Sequence, residues 1–280
     1  SYGCRQTIHK SKWALSGESG RFSDPLYSPG SDFIAVHNTL IIDAILSEPN
    51  ALAGKCYLYE TLARSLYESL IPTYSLSYDA LGDQETFVLK YTWELSAYFA
   101  FFVFPMINDL STDRRFIVSY LSKFSRLGKT NENLQKFLSG YYQWKKLNPT
   151  SERAPLFHDF ASIGTLREAE GTFYEVGLDP DEAKQVLNQQ LLNLQELGRY
   201  IVAYLSSIVL SEPALLTDRA FIEQIDLKSF KFDPEELRRQ ALVCDPTAEP
   251  YRWSFDPYVM EHFRAAMETH AAEDSMLDVS

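Results

Sequence analysis

Residues 13–45 read WALSGESGRFSDPLYSPGSDFIAVHNTLIIDAI, and the order of signals inside this stretch decides how the chain is read. Trp13, Ala14 and Leu15 close a strand-like segment that enters the small-residue turn Ser16-Gly17-Glu18-Ser19-Gly20. Asp24-Pro25 and Ser28-Pro29-Gly30 punctuate a second loop. Phe33, Ile34, Val36, Leu40, Ile41, Ala44 and Ile45 then recur at helical spacing, with Ser31 or Asp32 as the expected cap. A strand, a glycine turn and a helix start in this order gather unpaired backbone N–H groups and the positive end of a helix dipole. Gly17, Gly20 and Gly30 leave the backbone open to a ligand. The chemistry suited to such an edge is an anion or nucleotide site; the alternative is an ordinary strand–turn–helix connection.

Outward from this stretch the text is almost wholly helical. The pattern predicts helices over 51–71 (stopped by Pro72), 86–104, 113–127 (closed by Gly128), 131–147, and from Asp179-Pro180-Asp181-Glu182 to about Leu210. Shorter ones are expected at 218–225, 234–243 and 257–269. One strand cannot make a sheet. The fold class is therefore mainly α: either the chain is nearly all α, or its strand belongs to a sheet whose other members lie outside these residues. The organisation expected is 1–47 as a strand–loop–helix piece, 48–270 as a helical region and 271–280 as a frayed acidic tail.

With 26 Lys and Arg against 38 Asp and Glu, the 280-residue chain carries a formal charge of −12, which repels phosphate backbones and anionic bilayers. No nucleic-acid partner is expected. The apolar run Tyr98–Ile107 is broken by Pro105 and is half the ~20 residues that a spanning helix needs, so no membrane span is expected. Cys4, Cys56 and Cys244 form no close pair, which fits a reducing, cytoplasmic setting and gives no zinc or redox site. The start at Ser1, without a Met and in strand-like sequence, gives the expectation of a fragment of a longer chain or a processed product.

The ordered elements GESG, DPLYSPG and the helix after them resemble the second FAD-binding motif of flavin-dependent monooxygenases, in particular the tryptophan-halogenase-like family. The resemblance covers about thirty residues. It implies a helical C-terminal region with one or two N-terminal strands left from an α/β, Rossmann-like FAD-binding domain, FAD as cofactor, an apolar or aromatic small-molecule substrate and a flavin reductase as electron-supplying partner. It places Glu18 where the family has an Asp whose carboxylate accepts hydrogen bonds from the ribityl chain. Gly17, Ser19, Gly20 and Arg21 fall beside the pyrophosphate, with Arg21 adding a charge-assisted contact. Asp24 and Pro25 match the acidic-Pro pair before the flavin ring, and Ser28, Pro29, Gly30 and Ser31 match the loop beside it.

Two departures stand out. Pro29 has no N–H, so the loop lacks a backbone donor that halogenases offer to chloride. The Gly-rich dinucleotide fingerprint, the Trp-x-Trp-x-Ile-Pro motif and the catalytic lysine of the family lie upstream of the matched segment, and none occurs here. The resemblance thus implies the C-terminal part of an FAD-dependent oxidoreductase, inactive by itself, with halogenation, hydroxylation and dehydrogenation all open and the catalytic residues unknown. The reading from another class is a non-catalytic helical interaction module, or a decayed enzyme without flavin.

Other candidates have plainer readings. His37 reads as a core or surface histidine before it reads as a proton donor, and His158 beside Asp159 points away from it on a helix. His9, His262 and His270 have no metal-ligand spacing. The aromatic run Tyr98, Phe99, Phe101, Phe102 and Phe104, with Trp93, reads as core before it reads as a substrate cavity. Asp79 with Asp83 and Glu235 with Glu236 read as caps or first-turn acids.

Overall fold

The computed structural model describes residues 1–148, 160–242 and 249–260. It is 71 % helix and 3 % strand, so the protein is mainly α. Four two-residue strands pair within the N-terminal stretch: β1 (Tyr2–Gly3) lies antiparallel to β4 (Arg21–Phe22), and β2 (Ile8–His9) antiparallel to β3 (Trp13–Ala14). The strand ending at Trp13-Ala14 thus finds its neighbour five residues upstream. A turn closed by Lys12 N–H donating to His9 O (3.1 Å), with Lys12 at φ 64°, makes that pairing local.

The helices are α1 (Pro29–Ile45), α2 (Leu52–Ser75), α3 (Gln84–Tyr98), α4 (Phe104–Ile107), α5 (Arg114–Leu147), α6 (Gly164–Phe173), α7 (Pro180–Leu210), α8 (Arg219–Gln224) and α9 (Pro234–Ala241). Several ends differ from the sequence pattern. Helix α1 begins two residues before Ser31, because Pro29 presets the helical φ at its first position. Pro72 sits inside α2 rather than ending it, close enough to the C-terminus to disturb only the last turn. Gly128 does not close a helix: α5 runs straight through it, and the missing side chain lets Ser69 of α2 approach, its Oγ lying 3.3 Å from where a Cβ would be. The aromatic run is a π-helical turn over Phe99–Val103 between α3 and α4.

Elsewhere local chemistry sets the ends as the sequence suggests. Asp179 accepts from the N–H groups of Asp181 and Glu182 (2.8 and 3.0 Å) while Glu182 Oε2 accepts from Asp179 N–H (3.0 Å), a reciprocal cap for α7. Asp218 caps α8 through Phe221 N–H, and Asp233 caps α9 through Glu235 and Glu236 N–H. Asp83 does the same for α3 through Thr86 N–H. The segments 257–269 and 271–280 expected as helix and tail fall outside the described residues from 261 onward, as do His158, Asp159, Cys244, His262 and His270.

The chain makes two compact units. The first comprises Ser1–Leu76, Tyr98–Glu132 and Thr172–Leu191, so the 1–47 piece lies wholly within it. Its core draws Phe33, Val36, Leu40 and Ala44 from α1, Tyr59, Leu62, Ala63 and Leu66 from α2, and Phe101, Phe102, Phe104, Phe116, Tyr120 and Phe124 further on. Within the aromatic run Phe101, Phe102 and Phe104 are core, while Tyr98 and Phe99 stay half-buried. Ile34 and Ile45, counted with the apolar face of α1, are 46 % and 74 % exposed. The second unit comprises Ser77–Ala97 and the described parts of 133–171 and 192–280. It buries Trp93, Phe137, Tyr141, Leu197, Tyr200 and Ile201, and it pairs the fully buried Lys90 with Glu94, Ser77 (3.0 Å) and Gln135 (3.1 Å). Among the described residues no helix is long and apolar enough to cross a membrane.

Candidate functional site

Gly17, Glu18 and Ser19 form one 3-10 turn, and this turn packs along the first two turns of α1. Gly17 has φ +53°, a conformation that costs a residue with a Cβ about 1–2 kcal/mol. Space forbids a side chain there as well, since a Cβ would overlap Ile34 of α1. The Gly17 N–H donates to Nδ1 of His37, one helical turn beyond Ile34 (2.9 Å), and Ser16 Oγ donates to Asn38 Oδ1 (2.7 Å). His37 is completely buried, so it is the core histidine its plainer reading gave. Burial above all, then the nearby Arg21 charge, lowers its pKa to about 4 against the opposing pull of Glu60. The ring is neutral at pH 7, and because Nδ1 accepts, Nε2 carries the proton.

Glu18 follows Gly17 on the outside of the turn. It is exposed, its backbone carbonyl accepts from Tyr2 Oη (2.7 Å), and its carboxylate lies on the start of α1. A Cβ built on Gly30 would come within 2.9 Å of Glu18 Cδ and closer still to Oε1. Two residues of the matched stretch, twelve positions apart in sequence, therefore meet as a carboxylate against the first turn of a 17-residue helix. The entry to that helix is strained. Tyr27 (φ 64°) and Ser28 (φ 56°) are consecutive non-glycine residues in the left-handed region, which cost of order 1–3 kcal/mol each and gather at functional sites. Asp24 Oδ1 accepts from Leu26 N–H (2.9 Å) and Pro25 O from Ser28 N–H (3.0 Å), two local bonds that hold the bend. Ser28 makes no side-chain cap, and Pro29 is buried, so the first-turn N–H groups of α1 are met by no capping side chain from Ser28.

The remaining matched residues divide between surface and interior. Ser31 is exposed; Ser19 is exposed and its hydroxyl donates to Ser16 O (2.6 Å). Gly20 is buried, a Cβ there lying 2.6 Å from Thr7 Cγ2. Arg21 is only 1 % exposed and does not face the turn's outer side. Its guanidinium donates to Glu60 Oε1 and to Thr7 Oγ1 (2.6 Å), while Glu60 Oε2 accepts from Thr7 N–H (2.8 Å), Thr7 Oγ1 (2.9 Å) and Ile8 N–H (3.1 Å). Arg64 adds a bond to Glu60 Oε1 (3.0 Å). Burial alone would raise the Glu60 pKa, but Thr7 N–H, Arg64, Arg21 and the Thr7 hydroxyl together outweigh it and lower it to about 2. The pyrophosphate contact expected of Arg21 is thus replaced by a buried ion pair.

Sequence reasoning missed this network because Glu60 stands among Cys56, Tyr59 and Ala63 on the buried face of α2. A lone acid on an apolar helical face is the signal that was available. It also missed Tyr98, whose hydroxyl donates to Asp32 Oδ1 (3.2 Å) in the first turn of α1. Burial raises the Asp32 pKa despite that bond, and burial with the Asp32 charge pushes the Tyr98 phenol up to about 12. Among the described residues no group of three or more His, Cys, Asp and Glu is placed to hold a metal ion. No protein-family model, curated protein or solved structure matches the chain.

Proposed function

We propose that the chain is the flavin-ring side of an FAD-dependent oxidoreductase of the halogenase-like monooxygenase kind. The observation that carries the reading is the convergence of Glu18 on Gly30, at a helix start entered through the strained Tyr27-Ser28 pair. Glu18 would accept hydrogen bonds from the ribityl hydroxyls, its carboxylate lying where a side chain at position 30 would otherwise stand. The N-terminal end of α1, with the Gly30 N–H in its first turn, favours the negative charge of a reduced ring. FAD, when bound, supplies the redox chemistry with dioxygen; the chain's own residues bind, orient and exclude water. Pro29 brings no N–H to the loop, which favours hydroxylation or dehydrogenation over halogenation. An apolar or aromatic substrate, a flavin reductase as electron donor and a cytoplasmic location belong to the same proposal.

The test is the flavin content of the native gene product after desalting. Glu18→Ala is expected to lower FAD retention by roughly tenfold or more, the equivalent of one charge-assisted hydrogen bond, with the helical circular dichroism unchanged. Equal retention in the two proteins overturns the role of Glu18. A second reading, a helical interaction module, is favoured by Ile42, Ile45 and Leu46, which are 55 %, 74 % and 79 % exposed at the end of α1. On that reading neither protein retains flavin, and Gly30→Val is silent.

A further inference from the structure

A second polar concavity lies on α2, away from the turn and sharing no residue with it. It is a cleft of about 390 Å³ between the Arg5-Gln6 strap and the outward face of the helix, lined by Tyr57, Glu60, Thr61, Arg64 and Ser65. The spacing 57, 61, 64, 65 puts four of these on one helical stripe. The volume falls within the ~300–1,000 Å³ of small-molecule sites.

Its chemistry is cationic in a chain of formal charge −12. Glu60 contributes the one carboxylate to its walls, and both its oxygens are already engaged, Oε2 by Thr7 and Ile8 and Oε1 by Arg21 and Arg64. Arg5 and Arg64 both line the cleft, and Arg21 is paired with Glu60 behind it, so the cations near the cleft outnumber its one carboxylate. Arg64 is held in place by its bonds to Glu60 and to the backbone carbonyl of Arg5 (2.8 Å), yet 45 % of its side chain stays exposed. Among the described residues the Arg5 guanidinium and the Tyr57 and Ser65 hydroxyls have no hydrogen-bond partner. The Tyr57 ring, 78 % exposed at the rim, offers a flat face. Two arginines and two hydroxyl-bearing side chains lining one cleft beside an exposed aromatic ring suit a phosphate carried on a planar base.

We infer that this cleft binds the phosphate end of a nucleotide, with Arg5 and Arg64 as the anion ligands, Ser65 as a hydroxyl donor and Tyr57 stacking on the base. The site is independent of the flavin turn. Calorimetric titration of the 280-residue protein with ADP, inorganic pyrophosphate and adenosine separates the contributions. ADP is expected to bind saturably and pyrophosphate more weakly at the same residues, with adenosine at least tenfold weaker than ADP. Arg5→Gln, which removes an exposed group with no internal bond, is expected to weaken ADP and pyrophosphate binding by about tenfold or more. Raising the salt from 50 to 300 mM weakens both further. Arg252→Gln, which removes an exposed arginine of the second unit, leaves binding unchanged, and so does Glu18→Ala, which separates this cleft from the flavin turn. Absence of saturable binding by ADP and pyrophosphate overturns the inference. So does equal affinity in the native and Arg5→Gln proteins, or adenosine binding as well as ADP.

Discussion

Two regions of the first unit sit within a few residues of each other in sequence and treat their charged groups in opposite ways. In the turn that meets α1, Glu18 is exposed on the helix start, and Tyr27 and Ser28 hold a costly backbone. One turn further along the chain, Arg21 is buried with Glu60 and Thr7, and every oxygen of that carboxylate is hydrogen-bonded. The difference teaches that charge alone does not mark a binding group. A group whose partners are all internal stabilises the fold, whereas one left exposed at a helix start is available to a ligand.

The sharpest way to break the comparison is at the buried pair. Glu60→Ala leaves Arg21 buried without its counter-ion and is expected to cost about 3–5 kcal/mol in urea unfolding. A loss below about 1 kcal/mol would mean that the network is incidental. The pH dependence of stability comes next. His37 titrates at about 4 when folded against 6.5 unfolded, so the unfolded chain binds the extra proton between these values. Stability is full above pH 6.5 and falls with pH through that window, at no more than about 1.4 kcal/mol per unit. Glu60, lowered to about 2 from 4.5, adds a second decline between pH 4.5 and 2. His37→Gln should flatten the first decline and leave the second, as followed by unfolding free energy against pH.

Smaller still is Gly17→Ala, which forces a Cβ into a φ of +53° and against Ile34. A loss of about 2 kcal/mol is expected from thermal melts. Smallest is Glu18→Ala, exposed and expected to change stability by less than about 0.5 kcal/mol while lowering flavin retention. If Glu18→Ala destabilises as much as Gly17→Ala, the open turn is structural and the contrast between the two regions disappears.

Much of the frame was legible in the sequence. The helix starts at Asp179 and Asp83 rest on hydrogen bonds between neighbours two or three residues apart, so side-chain type and spacing suffice to place them. The periodicity of Phe33, Val36, Leu40 and Ala44 likewise predicts the buried face of α1. Helix ends set by punctuation fared worse: Gly128 reads as a stop, but Ser69 of another helix turns it into a close approach. Gly164–Phe173 was not read as a helix at all, since its pattern is short and without a marked cap.

For the site, composition and order located the turn, the loop and the helix, because glycine, proline and small polar residues act on the backbone at their own positions. Only the tertiary structure decided which way each charged group faces. Arg21 and Glu18 stand three residues apart and are equally hydrophilic, yet Glu60, 39 positions beyond Arg21, draws one inward and Gly30 receives the other at the surface. Local energetics fix turns and helices; the fate of a charge depends on partners that only the folded chain brings within hydrogen-bonding reach.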